Sequence, residues 1–458
     1  MDNLIEQLQD LLGNGGVLLG DDVTSRPPAV FGGSGPNPAS AILRPRNTEE
    51  VSEIMKLCSS AGQKIVPYGG GTGLVQGQIA HEGEVLLSLE LMNKVEDVDA
   101  QGRTALVQAG VTLQAVQEAA DEADLFFPLD LGGRGTATIG GNIATNAGGN
   151  RVVRYGMARD NVLGIEAVLA DGTIISSLNR LIKNNAGYDL KQMFIGTEGT
   201  MGIVTRTVVR LREKPRSECT ALVALESFDN LIAFLKEIDG RLGGTLSAFE
   251  VLWNNYYKRI TSEDAYRPPL SQEYPYYILV EALGGDPEED QDRFEKALMA
   301  TLEDGLLADA VIAKSSSEAA ALWSIRDAVM VFIEAGPVFS FDISLPITEM
   351  EAYANKVHAD LKEIWPDGTA YTFGHIGDNN MHFIVSVDDG SEDAHHKIEE
   401  VVYGNLRDIQ GSVSAEHGIG MEKKAWLPVS RSEAEIALMR RLKAAMDPDG
   451  ILNPGKVF

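Results

Sequence analysis

Two short segments of this 458-residue chain concentrate the side chains that hold metals and move protons. The first reads Gly374-His375-Ile376-Gly377-Asp378-Asn379-Asn380-Met381-His382, and the second Ser414-Ala415-Glu416-His417-Gly418-Ile419-Gly420-Met421-Glu422-Lys423. With Asp378-Asn379 as a two-residue hairpin loop, His375 faces His382, and directly opposed residues have Cβ atoms about 4.5–5.5 Å apart. Two imidazoles placed that way can share one cation. Glu416 can supply a carboxylate as third ligand, which completes a two-histidine, one-carboxylate set with an open position, the usual pattern of catalytic zinc. Zn²⁺ fits these ligands, and Mn²⁺ or Fe²⁺ is compatible with them by type. Asn380 is a polar neighbour of the pair. His81, His358, His395 and His396 stand outside any such motif and read as ordinary core or surface residues.

Glycine marks the loops that must position this chemistry. The chain has 47 glycines, about a tenth of its residues against an average near 7%, and they are clustered. Gly69-Gly70-Gly71-Thr72-Gly73 follows the strand-like Ile65-Val66, and a second cluster runs from Gly132 to Asn150. Bare backbone N–H groups after a strand are suited to cradling a pyrophosphate, because glycine lets the chain come close and adopt positive φ. Neither cluster has the spacing of the common nucleotide motifs. G-x-G-x-x-G counted from Gly69 would need glycine where Leu74 stands, and no G-x-x-x-x-G-K-[ST] occurs, so a nicotinamide Rossmann site and a P-loop kinase are excluded.

Composition narrows the class further. The net charge is −28, from 39 Lys+Arg and 67 Asp+Glu, and without a basic patch this argues against nucleic acid as a partner. With 44% hydrophobic and 23% charged residues the chain is globular rather than disordered. Cys58 and Cys219 give no disulfide framework and no C-x-x-C, so both read as inert thiols in a reducing compartment. The acidic start, Met1-Asp2-Asn3-Leu4-Ile5-Glu6, is neither a secretory signal nor a transit peptide, and no apolar run reaches the roughly 20 residues of a membrane helix. A cytoplasmic protein without a transmembrane segment is expected.

Along the chain, Leu4, Ile5, Leu8, Leu11 and Leu12 recur at helical spacing, and a Pro/Gly-rich stretch follows from Pro27 to Pro38. Asn47 with Glu50 three residues on predicts a helix start, and Asp171-Gly172 between two apolar runs predicts a hairpin. After Pro215 the texture changes to strand–helix alternation that partly recurs, with strands at 221–225, 277–282, 339–345 and 381–387 and helices at 230–238, 291–302 and 350–364. A twofold arrangement on one antiparallel sheet fits an α+β domain. A helix at 433–446 lies in the last stretch.

The glycine segments resemble those of one family. Val66-Pro67-Tyr68-Gly69-Gly70-Gly71-Thr72-Gly73-Leu74, the run from Ala137 to Gly149, and Ile195-Gly196-Thr197-Glu198-Gly199-Thr200-Met201-Gly202-Ile203 resemble the PCMH-type FAD-binding domain of the vanillyl-alcohol oxidase superfamily. The histidine segments resemble the H-x-G-D-G-N-x-H and E-H-G-x-G motifs of its FAD-linked D-2-hydroxy-acid dehydrogenases. Asn379 replaces the glycine after Asp378, and Asn tolerates the left-handed backbone such a turn requires.

The resemblance implies an α+β fold: a PCMH-type FAD-binding domain of two α+β subdomains, then an α/β cap with a large antiparallel sheet and a C-terminal segment returning to the flavin. The implied boundaries are 1–37 for the N-terminal helix and irregular segment, 38–216 for the FAD domain, 217–413 for the substrate domain and 414–458 for the C-terminal segment. It implies that FAD lies on Pro67, Gly69, Gly70, Gly71, Thr72, Gly73, Leu74 and Gln78. Pro128 and Leu129 join them, as do Thr138, Ile139, Gly140, Gly141, Asn142, Ala144, Thr145, Asn146, Gly148, Gly149 and Gly156. Glu198, Gly202, Ile203 and Asn453 complete the set. The first loop has no histidine or cysteine for a flavin linkage, so non-covalent FAD is expected.

By the same resemblance His375, His382 and Glu416 are metal ligands, His417 is the catalytic base, and Arg326 in Leu322-Trp323-Ser324-Ile325-Arg326 holds the substrate carboxylate beside Asn380. The implied reaction oxidises a D-2-hydroxy acid to the 2-oxo acid and passes electrons to a quinone, an electron-transfer flavoprotein or a cytochrome. A homodimer is compatible with this scheme. Members acting on D-2-hydroxyglutarate carry a lysine and an asparagine where Ser340 and Ile384 stand here, so D-lactate or a longer apolar monocarboxylic acid is the expected substrate. D-2-hydroxyglutarate itself, a metal-free alcohol or sugar oxidase, and a flavin subunit of a glycolate-dehydrogenase-like complex are the alternatives.

Overall fold

The computed structural model describes residues 2–30, 35–334 and 336–458. Positions 31–34, within the Pro/Gly-rich stretch, lie outside the described residues, as does Met1. The chain forms two compact units: Met1–Gly149, Gly156–Lys214 and Glu416–Phe458 make the first, and Asn150–Tyr155 with Pro215–Ala415 the second.

The first unit holds two main sheets. In the smaller, Ala41–Leu43, Val85–Ser88 and Ile65–Tyr68 run parallel, and Val17–Leu18 pairs antiparallel at one edge. These short strands are apolar on both faces, as expected of parallel strands covered on each side. The helix Thr48–Ala61 starts where Asn47 accepts a hydrogen bond from the Glu50 N–H, as its sequence predicts, and buries Val51, Ile54, Met55 and Cys58 against Ala41, Leu43, Ile65 and Val85. Leu4, Leu8 and Leu12 of the first helix join this core, together with Ile451 and Leu452 from the last stretch of chain. That return is fixed by the backbone, because Ile65 N–H donates to Ile451 C=O at 2.8 Å.

The second sheet of this unit is antiparallel, in the order Val95–Asp99, Thr104–Gln108, Ile203–Arg210, Val162–Val168, Ile174–Ser177. The Asp171-Gly172 turn joins the last two strands, and Gly172 takes a φ of 83° that favours glycine there. The two cysteines are buried, and desolvation pushes the Cys58 thiol up to about 12 and the Cys219 thiol up to about 11, so neither ionises near neutrality. No described helix is long and apolar enough to cross a membrane.

The second unit is built on a seven-stranded antiparallel sheet in the order Asp309–Ile312, Ser217–Leu225, Tyr276–Gly284, Leu246–Trp253, Thr369–Gly374, Asn380–Ser386, Val338–Ser344. One face packs helices: Phe234 of Phe228–Leu242 meets Phe249, and His358 of Met350–Ile364 bonds the Thr372 hydroxyl at 2.8 Å. On the other face Leu222, Leu252, Tyr277, Leu279, Phe373 and Ile384 form a core with Tyr256, Leu322 and Phe332 from the helices Asn254–Thr261, Ser316–Asp327 and Met330–Glu334. Cross-strand register puts Asp342 opposite His382, Ser344 opposite Asn380, Ser340 opposite Ile384 and Phe373 opposite His382. These residues therefore share the second face.

Candidate active site

The hairpin that carries the histidines is not the tight one its sequence suggests. Phe373, not His375, stands opposite His382, and between the strands lies a 3₁₀ turn over Ile376–Asp378 in which His375 C=O accepts the N–H groups of Asp378 and Asn380, both at 3.1 Å. The reason is at Gly374, whose φ of 157° and approach to Asn380 C=O, 2.6 Å from where a Cβ would stand, end the ladder early. Asn379 takes the left-handed conformation, at φ 72°, as its side-chain type allows. The imidazoles still meet, with ring centroids 5.3 Å apart and planes at 83°.

Each imidazole has a buried carboxylate beside it. Glu250, on the strand Leu246–Trp253, accepts a hydrogen bond from His375 Nδ1 at 2.6 Å and another from Arg326 Nε at 2.8 Å. Burial alone pushes its carboxyl up, but the electrostatic pull of His375 and Arg326 and the hydrogen bonds they donate outweigh that and hold it at about 2. Arg326 Nη2 lies 3.1 Å from His375 Nε2. A carboxylate can only accept and a guanidinium can only donate, so this network selects the neutral His375 tautomer with hydrogen on Nδ1 and a lone pair on Nε2. That is the form a metal-ligating histidine takes when a carboxylate orients its other nitrogen.

Asp342, fully buried, lies 3.8 Å from His382 Nδ1. It accepts from Asn380 Nδ2 at 2.8 Å, Ala415 N–H at 3.1 Å and the Ser414 hydroxyl at 3.2 Å. The residue immediately before Glu416 is thus tied to the sheet that carries His382. Arg326 ends the helix Ser316–Asp327, where Asp327 also meets its guanidinium at 3.2 Å and the Phe373 ring lies under it at 5.6 Å. Burial lowers the Arg326 pKa and the Glu250 carboxylate more than reverses this, so the guanidinium stays charged. The side chains His375, His382, Arg326 and Asn380, singled out by sequence, are therefore assembled in the second unit. Glu250 and Asp342 were not singled out, although a lone acid inside the apolar run Leu246–Trp253 is a legible signal.

The remaining candidates lie in the first unit. Gly69–Gly73 packs directly on the second glycine segment: a Cβ on Gly70 would stand 1.9 Å from Thr136 C=O, and one on Gly69 2.8 Å from the Thr138 hydroxyl. Gln78 Nε2 donates to Gly73 C=O at 3.0 Å. Thr138 caps the short helix Ile139–Thr145, and Asn146 ends it with left-handed backbone. Gly149, at φ 109°, approaches Asp130 C=O so closely that a Cβ would lie 1.9 Å away, and its N–H donates to Glu416 Oε1 at 2.6 Å. His417 is half-buried in the same stretch.

Glu198 is engaged by its own chain. Its carboxylate accepts the N–H groups of Ile419 and Gly420 at 2.7 and 2.8 Å, and burial pushes its pKa up against the pull of those bonds and of Lys423. Asn453 donates through Nδ2 to Glu198 C=O at 2.7 Å and Gly77 C=O at 3.2 Å. Two buried amide atoms close to these glycine segments, Asn142 Nδ2 and Asn453 Oδ1, have no hydrogen-bond partner among the described residues. Buried polar groups are rarely left unmatched, so both fit a polar cofactor that supplies the missing partners.

Comparison with known proteins finds two matching families. Residues 39–177 match the FAD binding domain family, and residues 214–457 match the C-terminal domain of FAD linked oxidases. A D-2-hydroxyglutarate dehydrogenase of Xanthomonas citri pv. viticola is 39% identical over 92% of this chain and 90% of its own length. The chain belongs to the FAD-linked D-2-hydroxy-acid dehydrogenases. It is an oxidoreductase of CH–OH groups, it carries the FAD-binding domain, and its fold is the expected α+β type.

Two further relatives bracket the family's substrates. The mitochondrial D-2-hydroxyglutarate dehydrogenase of Arabidopsis thaliana is 38% identical, over 91% of this chain and 74% of that one. A putative mitochondrial D-lactate dehydrogenase of Schizosaccharomyces pombe is 36% identical, over 90% of this chain and 81% of that one. Among solved structures, p-cresol methylhydroxylase with bound substrate superposes with a TM-score of 0.78 at 18% identity, covering 100% of this chain and 96% of that one, which speaks for the fold alone.

Proposed function

We propose that this dehydrogenase oxidises a monocarboxylic D-2-hydroxy acid to the 2-oxo acid with non-covalent FAD and one divalent cation, Zn²⁺ being the best fit. The observation that carries the reading is the pair of imidazoles, each backed by a buried carboxylate, with His375 held in the ligating tautomer. His375, His382 and Glu416 are the proposed ligands. A cation held by these ligands would supply Lewis acidity to the substrate hydroxyl, and FAD would supply the acceptor for the C2 hydride. His417 takes the hydroxyl proton on a ring nitrogen as the C2–O bond becomes a carbonyl, so two electrons leave with the hydride and one proton stays on the imidazole. Arg326 orients the substrate carboxylate: its Nε is committed to Glu250, while its Nη2 hydrogens turn to the substrate once the His375 lone pair is engaged elsewhere.

The cofactor residues named from sequence, from Pro67 to Asn453, are proposed to hold FAD. The substrate preference rests on Ile384 and Ser340, cross-strand neighbours on the His382 face. Ile384 is buried among Phe332, Phe373 and Tyr371, which offer no charge to a second carboxylate. Leaving that carboxylate unpaired in an apolar wall costs several kcal/mol, on the order of 2–5. The relatives named for D-2-hydroxyglutarate favour that acid as the second reading.

Steady-state kcat/KM for D-lactate, D-2-hydroxybutyrate and D-2-hydroxyglutarate separates the two. Values highest for D-2-hydroxyglutarate overturn the monocarboxylic preference. Metal analysis before and after chelation tests the cation: an active chain with no bound metal removes it from the scheme. Acid precipitation tests the flavin, since colour left in the pellet means a covalent link.

A further inference from the structure

The chemistry proposed above leaves the half-buried carboxylate of Glu198, in the first unit, without a part. Glu198 sits in left-handed backbone, at φ 53°, a conformation that residues other than glycine rarely adopt. Its N–H donates to Ala144 C=O at 2.8 Å, its C=O accepts from Asn453, and both carboxylate oxygens accept backbone N–H groups of the Glu416–Gly420 segment. The turn it grips is built for that grip. Gly418 and Gly420 have φ values of 87° and 53°, and a Cβ on Gly418 would lie 2.8 Å from Glu198 Oε1. Gly420 is pressed on Val75, whose C=O would be 1.9 Å from a Cβ and accepts the Met421 N–H at 3.0 Å. The turn therefore has a floor at Val75 and a clamp at Glu198, and His417 is the residue that enters it.

We propose that Glu198 is a positioning residue for His417: its carboxylate, by holding the Ile419 and Gly420 N–H groups, fixes the His417–Gly420 turn and thereby the direction of the imidazole. The proposal rests on the reading of His417 as the base. A carboxylate is required because two donors converge on it. An amide offers one oxygen and turns an NH₂ toward the other N–H.

The test is a double-mutant cycle on the FAD-loaded full chain, comparing wild type, E198Q, H417N and E198Q/H417N with D-lactate or whichever acid proves the best substrate. Flavin reduction is followed under anaerobic conditions and scored per bound flavin. The expected result is a fall of about 10- to 100-fold in the reduction rate of E198Q, with KM nearly unchanged, a larger isotope effect with substrate deuterated at C2, and no further loss when E198Q is added to H417N. Equal losses from E198Q in both backgrounds, or a wild-type rate in E198Q, overturn the positioning role. Wild-type activity in H417N overturns the base instead, which keeps the two failures distinct. Should E198Q lose flavin, G418A perturbs the same contact from the other side and is read by the same cycle. Additive losses there are equally fatal.

Discussion

Glu250 and Asp342, two buried carboxylates of the seven-stranded sheet, each lie beside a histidine and do different work. Glu250 makes a 2.6 Å bond to its histidine and shares the rest of its charge with Arg326. Asp342 stays 3.8 Å from its histidine and spends its oxygens on Asn380, Ser414 and Ala415. One fixes a ring and its tautomer. The other fixes the main chain at Ala415. Burial is common to both, so it is the set of donors converging on each acid that separates a ligand-orienting group from an anchoring one.

Glu250 is the place to break the comparison hardest. In E250Q the amide oxygen still serves His375, but its NH₂ opposes Arg326 Nε–H and the guanidinium keeps only the half-exposed Asp327. A buried charge left without its partner costs about 3–5 kcal/mol, read as a fall in the urea-unfolding midpoint. Metal affinity should drop about 10- to 100-fold as well, measured by chelator competition. Unchanged affinity in a folded E250Q would show that His375 needs no orienting acid.

D342N is the matched experiment. Asn keeps one acceptor for the donors at Asn380, Ser414 and Ala415, so a loss of about 1–3 kcal/mol is expected, with a smaller change in metal affinity than in E250Q because Asp342 lies 3.8 Å from the His382 ring nitrogen where Glu250 lies 2.6 Å from that of His375. A larger affinity loss than in E250Q reverses the assignment of roles.

Acid sharpens the contrast at lower cost. The Glu250 carboxyl is held at about 2 against an ordinary 4.5, so its stabilising contribution is complete above about pH 4.5 and is lost as pH falls toward 2. Metal-free wild type should therefore lose stability through that window more steeply than metal-free E250Q, followed by denaturant unfolding at stepped pH. Parallel curves would mean that Glu250 titrates alike in folded and unfolded chains.

The difference between these acids also marks what sequence can carry. Spacing sufficed for Asn47 as a helix cap, for the Asp171-Gly172 hairpin, and for both histidines as a pair, because each depends on neighbours within a few residues. It misplaced the histidine hairpin by two positions, since a 3₁₀ turn and the early exit at Gly374 depend on how close Asn380 C=O comes, which no local pattern encodes. The strand Leu246–Trp253 is buried on both faces, which makes its lone acid Glu250 legible as a buried charge, but its partners His375 and Arg326 lie 125 and 76 residues away and no local pattern names them. Asp342 lay in view in Phe341-Asp342, yet its partners at 380, 414 and 415 are brought together only by the sheet and the return of the chain. Glu198 was visible too. Its motif gives no sign that a segment more than 200 residues away donates to the carboxylate.

The smallest effect is expected at Ser414. Its hydroxyl is the longest of the three bonds to Asp342, and the surrounding turn is held independently by the Ser412 hydroxyl, which donates to Ser414 C=O at 2.9 Å. S414A leaves Asp342 with Asn380 and Ala415 and should cost about 1 kcal/mol, seen as a small shift of the urea midpoint. Metal affinity and kcat should stay at wild-type values, because Ala415 N–H alone still ties the chain one residue before Glu416. If S414A instead weakened metal binding as much as D342N, the anchoring of Glu416 would run through the serine hydroxyl, and the main-chain bond from Ala415 would lose the role given to it here.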